Sequence, residues 1–193
     1  MIVGVLAVQG SFAEHMQVLR GLAVDVRLVR SPEELRGVSA LVIPGGESTT
    51  IGDFLDKQGL GDAIEAGLPI FGTCAGMILL AKKMVGKQKE GQSLLKKMDI
   101  TVERNAYGRQ TESFEADVKL AWDARPFPGV FIRAPRIAEY SEDVSVLARR
   151  GDAAVLVRQG RYLACAFHPE LTDDDRIHRY FIEEVAKNDK KIR

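Results

Sequence analysis

Pro69-Ile70-Phe71-Gly72-Thr73-Cys74-Ala75-Gly76-Met77-Ile78-Leu79-Leu80 is the stretch on which the reading of this chain turns. Pro69 to Gly72 predicts a short buried strand, and Ala75 to Met84 predicts a strongly apolar helix. Cys74 stands on the step between them, in a G-x-C-x-G version of the G-x-S-x-G nucleophile elbow. A sharp strand-to-helix turn crowds its own backbone, so small residues are required on both sides of the reactive one. The turn lifts the side chain above the sheet and aims a helix N-terminus at the sulfur, which favours the reactive thiolate. The N–H of Ala75 then points where an oxyanion would form. The plainer alternative, a core cysteine beside a tight turn, leaves the paired glycines without a purpose.

Working outward, the same alternation of strand and helix recurs. Residues 2–8 form a Val- and Ile-rich run closed by Gln9-Gly10, followed by a helix from Ser11 with Phe12, Met16 and Leu19 on one face. Val24 to Val29 predicts a second strand, and Ser31-Pro32-Glu33 starts a helix. Ala40 to Ile43 predicts a third strand, broken by Pro44-Gly45-Gly46, with a helix from Ser48 toward Leu55. This order points to an α/β fold with a parallel sheet covered on both faces. Lys82 to Lys97 is Lys-rich and reads as a loop or an exposed helical excursion. Beyond it, Ile100–Val102, Phe114–Val118, Val130–Ile132, Val144–Leu147, Ala154–Val157 and Leu163–Phe167 read as strands. A final amphipathic helix, Asp174 to Ala186, places Ile177, Phe181 and Val185 on one face, and 187–193 reads as a flexible tail.

The 193 residues suit one domain, and no linker or repeat divides them. Lys+Arg 27 balance Asp+Glu 27, which argues against nucleic acid or an anionic membrane as the main partner. No apolar run is long enough to span a membrane, and Met1 to Val8 lacks the basic flank of a signal peptide. Two cysteines, Cys74 and Cys165, make no disulfide framework, so a reducing cytoplasm is expected. Cys165, inside an apolar strand, reads as an inert core thiol. No close Cys/His cluster suggests a metal.

A cysteine nucleophile needs a base, and the chain has three histidines. His15 and His178, on the first and last helices, read as surface or partly packed. His168 closes the strand Leu163–Phe167, at the edge of the sheet where α/β folds place their chemistry, and Glu170 two residues on can orient its imidazole. The loop Pro44-Gly45-Gly46-Glu47-Ser48-Thr49-Thr50 allows close backbone approach to a ligand. It lacks the lysine of a phosphate loop, and Glu47 suits an ammonium group better than a phosphate. Arg104 and Arg133 interrupt strand-like runs and, taken singly, read as solvated.

Gly72-Thr73-Cys74-Ala75-Gly76 with His168-Pro169-Glu170 resembles the triad class, class I, of glutamine amidotransferases. Further segments narrow the resemblance to the glutaminase subunit of pyridoxal 5′-phosphate synthase, the SNO family. These are Gly4–Gly10, Pro44–Thr50, Val102-Glu103-Arg104-Asn105 with Gly108-Arg109-Gln110, Ser113–Ala116, Val130–Pro135 and Phe167–Thr172. The resemblance covers nearly the whole chain. One departure is the Lys82–Asp99 excursion, a few residues longer, with Lys96-Lys97-Met98 as the apparent extra.

The resemblance implies a three-layer, flavodoxin-like fold with a mixed, mostly parallel central sheet. It implies a Cys74–His168–Glu170 triad that hydrolyses L-glutamine through a thioester, and no cofactor. Gly45, Gly46 and Ala75 would form the oxyanion hole. Gly46, Glu47, Ser48, Arg104, Ile132 and Arg133 would bind glutamine, and Gln9 with the Gly45-Gly46 loop would control activation. The implied partner is a PdxS/SNZ-type synthase subunit in a large hetero-oligomer, which takes the ammonia with ribose 5-phosphate and glyceraldehyde 3-phosphate. Alternatives are a glutaminase serving another synthetase and a silent regulatory subunit; an intact triad disfavours the latter.

Overall fold

The computed structural model describes residues 1–64, 67–85, 93–104 and 113–187. Its strands are β1 (Ile2–Leu6), β2 (Asp25–Val29), β3 (Ala40–Ile43), β4 (Ile70–Thr73), β5 (Ala81–Val85), β6 (Met98–Glu103), β7 (Ser113–Leu120), β8 (Asp123–Ile132), β9 (Arg136–Tyr140), β10 (Ser145–Arg150), β11 (Ala153–Gln159) and β12 (Tyr162–Cys165). The helices are α1 (Phe12–Gly21), α2 (Pro32–Leu35), α3 (Ser48–Lys57), α4 (Leu60–Ala63), α5 (Ala75–Leu80) and α6 (Arg176–Tyr180), the last continued by a π-helical stretch, Phe181–Ala186.

Nine strands form one mixed sheet in the order β2-β1-β3-β4-β12-β11-β10-β7-β8. From β2 to β12 every pairing is parallel. From β12 to β8 every pairing is antiparallel. The parallel half has the flavodoxin-like order, whose ligand crevice lies outside the carboxyl ends of the strands. Its inner strands are buried on both faces, as the unbroken apolar runs require: all four residues of β3 and of β4 are buried. Strand alternation then sorts the layers. Phe71 packs on one face against His15 of α1, His178 of α6 and Phe181. Gly72, pointing the other way, faces Gly76 and Leu80 of α5.

A second sheet, β5-β6-β9, stands apart from the first. Here the structure corrects the expected helix from Ala75 to Met84. The helix stops at Leu80, and Ala81 turns extended at φ −63°, ψ 146°. An apolar run without period cannot distinguish helix from strand. What ends α5 is the expected loose excursion: the N–H groups of Leu95 and Lys97 bond to the carbonyls of Leu79 and Leu80 at 2.7 and 3.0 Å. Those two carbonyls would otherwise be orphans of a buried helix end. Lys82, expected in that excursion, lies in β5 and pairs with Asp99 at 2.6 Å. Residues 86–92 of the excursion, Asn105 and Gly108–Gln110 of the quoted motifs, and tail residues 188–193 lie outside the described residues.

Elsewhere the strands match expectation within a residue or a few, except that β8 begins at Asp123, seven residues before the expected Val130, and that β9 escaped it. That strand buries only Ile137 and is otherwise exposed, so it carries no core signature. No helix of the described residues is long and apolar enough to cross a membrane.

Candidate active site

Cys74 occupies the step between β4 and α5 with φ 48° and ψ −101°, a backbone conformation that L residues rarely adopt. Its surroundings hold it there. The Cys74 N–H bonds to the Cys165 carbonyl at 2.8 Å, and its carbonyl accepts from Ile78 N–H at 3.3 Å. A Cβ on Gly76 would stand 2.1 Å from the Ile43 carbonyl oxygen, and one on Gly72 would stand 2.6 Å from Gly76 backbone. Both glycines are therefore required by contact with main chain that cannot yield, as the sequence pattern implied. Cys74 is 8% exposed, and its thiol lies 3.8 Å from the Ile132 carbonyl.

His168 follows β12 and is tied across the sheet by a 2.8 Å bond from its N–H to the Val130 carbonyl. Phe167 before it is wedged between Phe127 and Phe131, at ring distances of 5.8 and 5.1 Å. The backbone at His168 is thus fixed by core packing. Its Nδ1 lies 2.7 Å from Oε1 of Glu170, in the single turn Pro169–Leu171. Glu170 is 4% exposed. Burial alone would raise its pKa, but the facing His15 ring, then His168 and the bond from Ser11, overcome that and pull it well down. Burial likewise opposes protonation of His168; its contacts with Cys74 and Glu170 win and push its pKa well up. The imidazole between thiol and carboxylate is accordingly a favoured seat for a proton.

The glycine loop after β3 closes the site from the side. Gly45 lies against both His168 and Cys74. Its carbonyl accepts from Ser11 N–H at 3.4 Å, so the Gly46 N–H, on the opposite side of a trans peptide, turns away from Ser11. Gln9, just past β1, donates its side-chain amide to the Glu47 carbonyl at 3.1 Å. Glu47 caps α3, accepting the Thr50 N–H at 2.8 Å. Its pKa is lowered: partial burial opposes this, but the N–H groups of Thr50 and Thr49 and then Arg104 prevail.

Arg104, directly after β6, reaches Glu47 Oε1 at 3.0 Å and Thr49 at 3.3 Å. Taken singly this arginine read as solvated, while the resemblance placed it with the glutamine-binding residues; the structure brings it to the glycine loop. Ser48 is buried at the start of α3. Ile132, at the end of β8, is 37% exposed, and Arg133 after it has φ 42°. Gln9, Gly45, Gly46, Cys74 and His168 all follow the carboxyl ends of parallel strands, at one edge of the sheet.

Three residues escaped the sequence reading. His15 and His178 are not surface residues but 0% exposed, and Ser11 donates to Glu170 Oε1 at 2.5 Å. A signal was present: Ser11, His15 and Leu19 recur every four residues, so His15 shares the buried face of α1 with Leu19. Cys165 is fully buried, its thiol pushed well up by desolvation, as an inert core residue should be. Among the described residues no group of three His, Cys, Asp or Glu could hold a metal.

The chain is similar to known proteins along nearly its whole length. A family model described as the SNO glutamine amidotransferase family matches residues 5–187. The pyridoxal 5′-phosphate synthase subunit PdxT of Pelotomaculum thermopropionicum is 56% identical over 192 residues, covering 97% of this chain and 96% of its own length. A PdxT subunit of Thermus thermophilus is 51% identical over 187 residues, covering 94% of this chain and 96% of its own length. A crystal structure of a glutamine amidotransferase superposes with a TM-score of 0.89 at 51% identity, over 96% of this chain and 99% of that one. A Thermoplasma acidophilum protein described as a GMP synthase subunit superposes with a TM-score of 0.71 at 22% identity, covering 100% of this chain and 96% of that one, and shares the fold alone. With a family match from β1 to the last helix and relatives of half-identical sequence along nearly their full length, the chain belongs to the SNO glutamine amidotransferase family.

Proposed function

We propose that the chain is the glutaminase subunit of a cytoplasmic pyridoxal 5′-phosphate synthase and hydrolyses L-glutamine through a Cys74–His168–Glu170 triad. The observation that carries the reading is the 2.7 Å contact of His168 with the buried Glu170, set beside a cysteine on a strained elbow. The names of the PdxT relatives support the assignment of the partner.

In this reading Cys74 gives its proton to His168, and the sulfur attacks the side-chain carbonyl carbon of glutamine. The oxyanion is met by N–H groups of Ala75 and of the Gly45-Gly46 loop, a contribution of roughly 3 kcal/mol per donor. His168 returns the proton to the departing nitrogen, so ammonia leaves and a thioester remains. A water, deprotonated by His168, then attacks the thioester; the sulfur leaves and glutamate is released. Glu170 holds the imidazole in place and stabilises its charged form. Gly46, Glu47, Ser48, Arg104, Ile132 and Arg133 bind the amino-acid end of glutamine, Glu47 facing its ammonium and the arginines its carboxylate.

The ammonia passes to a PdxS/SNZ-type synthase subunit in a large hetero-oligomer, which joins it with ribose 5-phosphate and glyceraldehyde 3-phosphate. Gln9 is the control point. Its bond to the Glu47 carbonyl holds the glycine loop in one arrangement, and docking of the synthase resets it.

Ammonia release from glutamine, measured with and without the synthase subunit, tests this reading. Turnover stimulated by the synthase and abolished by Cys74→Ala is expected. Full turnover in the Cys74→Ala protein would overturn the mechanism, and indifference to the synthase would overturn the coupling.

A further inference from the structure

Behind the triad, on the face of the sheet away from α5, a second set of polar side chains is sealed in the core. His178 Nε2 lies 2.8 Å from His15 Nδ1. His15 Nε2 lies 3.1 Å from Thr73 Oγ1 and 3.4 Å from Glu170 Oε2. Both rings are wholly buried, and both pack edge-on against Phe71. Leucine or phenylalanine would fill this space without desolvating four ring nitrogens, so the histidines stand here at a cost in stability. Such a cost is expected where a residue serves the site rather than the fold.

Partner counting fixes the direction of the chain, because each neutral imidazole has one donor and one acceptor. His178 Nδ1 has no hydrogen-bond partner. If it carried the hydrogen, a buried N–H would be orphaned. In addition, His15 would donate from Nδ1 and turn a bare Nε2 lone pair on the Glu170 carboxylate. The opposite assignment avoids both faults: His178 donates from Nε2–H to His15 Nδ1, and His15 donates from Nε2–H to Thr73, turning the positive end of that N–H toward Glu170 Oε2 rather than a lone pair. That oxygen has no hydrogen-bond partner, with the His15 ring nitrogen 3.4 Å away, while Oε1 takes Ser11 and His168. The tautomer that faces the carboxylate is thus dictated by a ring that never touches the triad.

We propose that His178 and His15 are positioning residues for the triad, a relay in which His178 fixes the tautomer of His15 and His15 holds the Glu170 carboxylate in the plane that His168 needs. The inference rests on the triad reading above. Burial keeps both relay rings neutral, so they act as dipoles and not as charges. The ionisable groups that bear on His15 are Glu170 and His168 from the turn after β12, His178 from α6, and Glu14 beside it on α1. Loss of either ring frees the carboxylate to rotate and destabilises the imidazolium that forms when His168 takes the Cys74 proton. A wrong tautomer in a comparable triad is enough to disable it.

The test is alkylation of Cys74 by iodoacetamide on the full chain, followed between about pH 5 and 9. The sulfur forms a bond to the methylene carbon, iodide departs with the bonding electrons, and the thiol proton stays on His168. Cys165 is silent because it is wholly buried. His15→Leu and His178→Leu are expected to slow alkylation at neutral pH by roughly five- to tenfold and to move the acid limb upward. His15→Gln, whose amide nitrogen replaces the Nε2 donor, should return to within about twofold of the parent. Thermal melting establishes that each protein is folded; should the leucine variants not fold, His178→Asn, too short to reach His15, takes their place. Leucine variants that follow the parent profile overturn the relay, and so does a glutamine variant as impaired as leucine, since packing alone would then be the cause. Ammonia release with the synthase present is measured on the same proteins. A shifted alkylation profile in a chain that never hydrolyses glutamine would sink the glutaminase reading and leave the relay standing.

Discussion

Gly45 stands so close to His168 that a Cβ built on it would lie 2.3 Å from the imidazole Cε1 and 3.3 Å from the Cys74 Cβ. The close approach makes the loop after β3 part of the triad's geometry. Gly45→Ala must push either the imidazole or the loop aside, and the ring is held by Glu170 while the loop is held by Ser11. Misplacement of a catalytic group by about 1 Å costs on the order of 10²-fold in rate. Glutamine turnover with the synthase should fall by at least that factor. Circular dichroism should show a folded protein destabilised by roughly 1–3 kcal/mol. Activity within threefold of the parent would mean that the loop yields freely.

The backbone of Cys74, at φ 48° and ψ −101°, stores strain that glycine would not feel. Strain of this kind is worth roughly 1–3 kcal/mol, against about 0.5–1 kcal/mol for the extra freedom of glycine in the unfolded chain. Both Cys74→Ala and Cys74→Gly should be inactive. The expected order of stability reverses the usual one, with Cys74→Gly equal to or above Cys74→Ala by about 1 kcal/mol in urea unfolding. Alanine clearly ahead of glycine would show that the elbow is relaxed.

Why some of this was legible in the sequence and some was not follows from what each signal reports. The elbow could be read from Gly72 and Gly76 because each must meet immovable backbone, and only glycine can. The β3 strand matched residue for residue because four apolar residues end at Pro44. Arg104 could not be placed by pattern: its position depends on a separate sheet folding back over α3, a non-local event. His15 and His178 were misread for a related reason. A histidine on an apolar helical face is assigned outward by default, and only the convergence of α1, α6 and Glu170 shows that it is satisfied inside. The end of α5 was missed because the backbone of Leu95 and Lys97 supplies it, and backbone groups leave no trace in side-chain pattern.

Arg104 is held by Glu47 at 3.0 Å and Thr49 at 3.3 Å, with its side chain 23% exposed at the edge of the glycine loop. A half-exposed ion pair contributes little to folding, about 0–1 kcal/mol. A substrate carboxylate bound by that guanidinium would depend on it far more. Arg104→Met is therefore expected to raise KM for glutamine about tenfold or more while kcat changes less and the melting temperature hardly moves. An unchanged KM would remove Arg104 from the binding set.

The stability of the fold should depend on pH through groups buried in unequal protonation states. Complete burial, assisted by His15, pulls the pKa of His178 from 6.5 down to about 3. The unfolded chain takes up a proton near pH 6.5 while the folded one does not until about pH 3, so stability falls as pH falls through that window. Glu170 acts in the same direction lower down: its contribution is present above its ordinary 4.5 and is lost as pH drops toward about 2. His168 works oppositely, stabilising fully below 6.5 and losing that contribution as pH rises toward about 10. Between about pH 6.5 and 4.5 a His178 that stays neutral in the folded state contributes a slope of roughly 1.4 kcal/mol per pH unit. His178→Leu should flatten the urea-unfolding free energy across that interval by about 2–3 kcal/mol relative to the parent, whatever its absolute stability. Surface carboxylates titrate alike in both proteins and cancel. Parallel curves for parent and variant would mean that His178 is charged in the folded state, and the donor order assigned to the relay would fall with it.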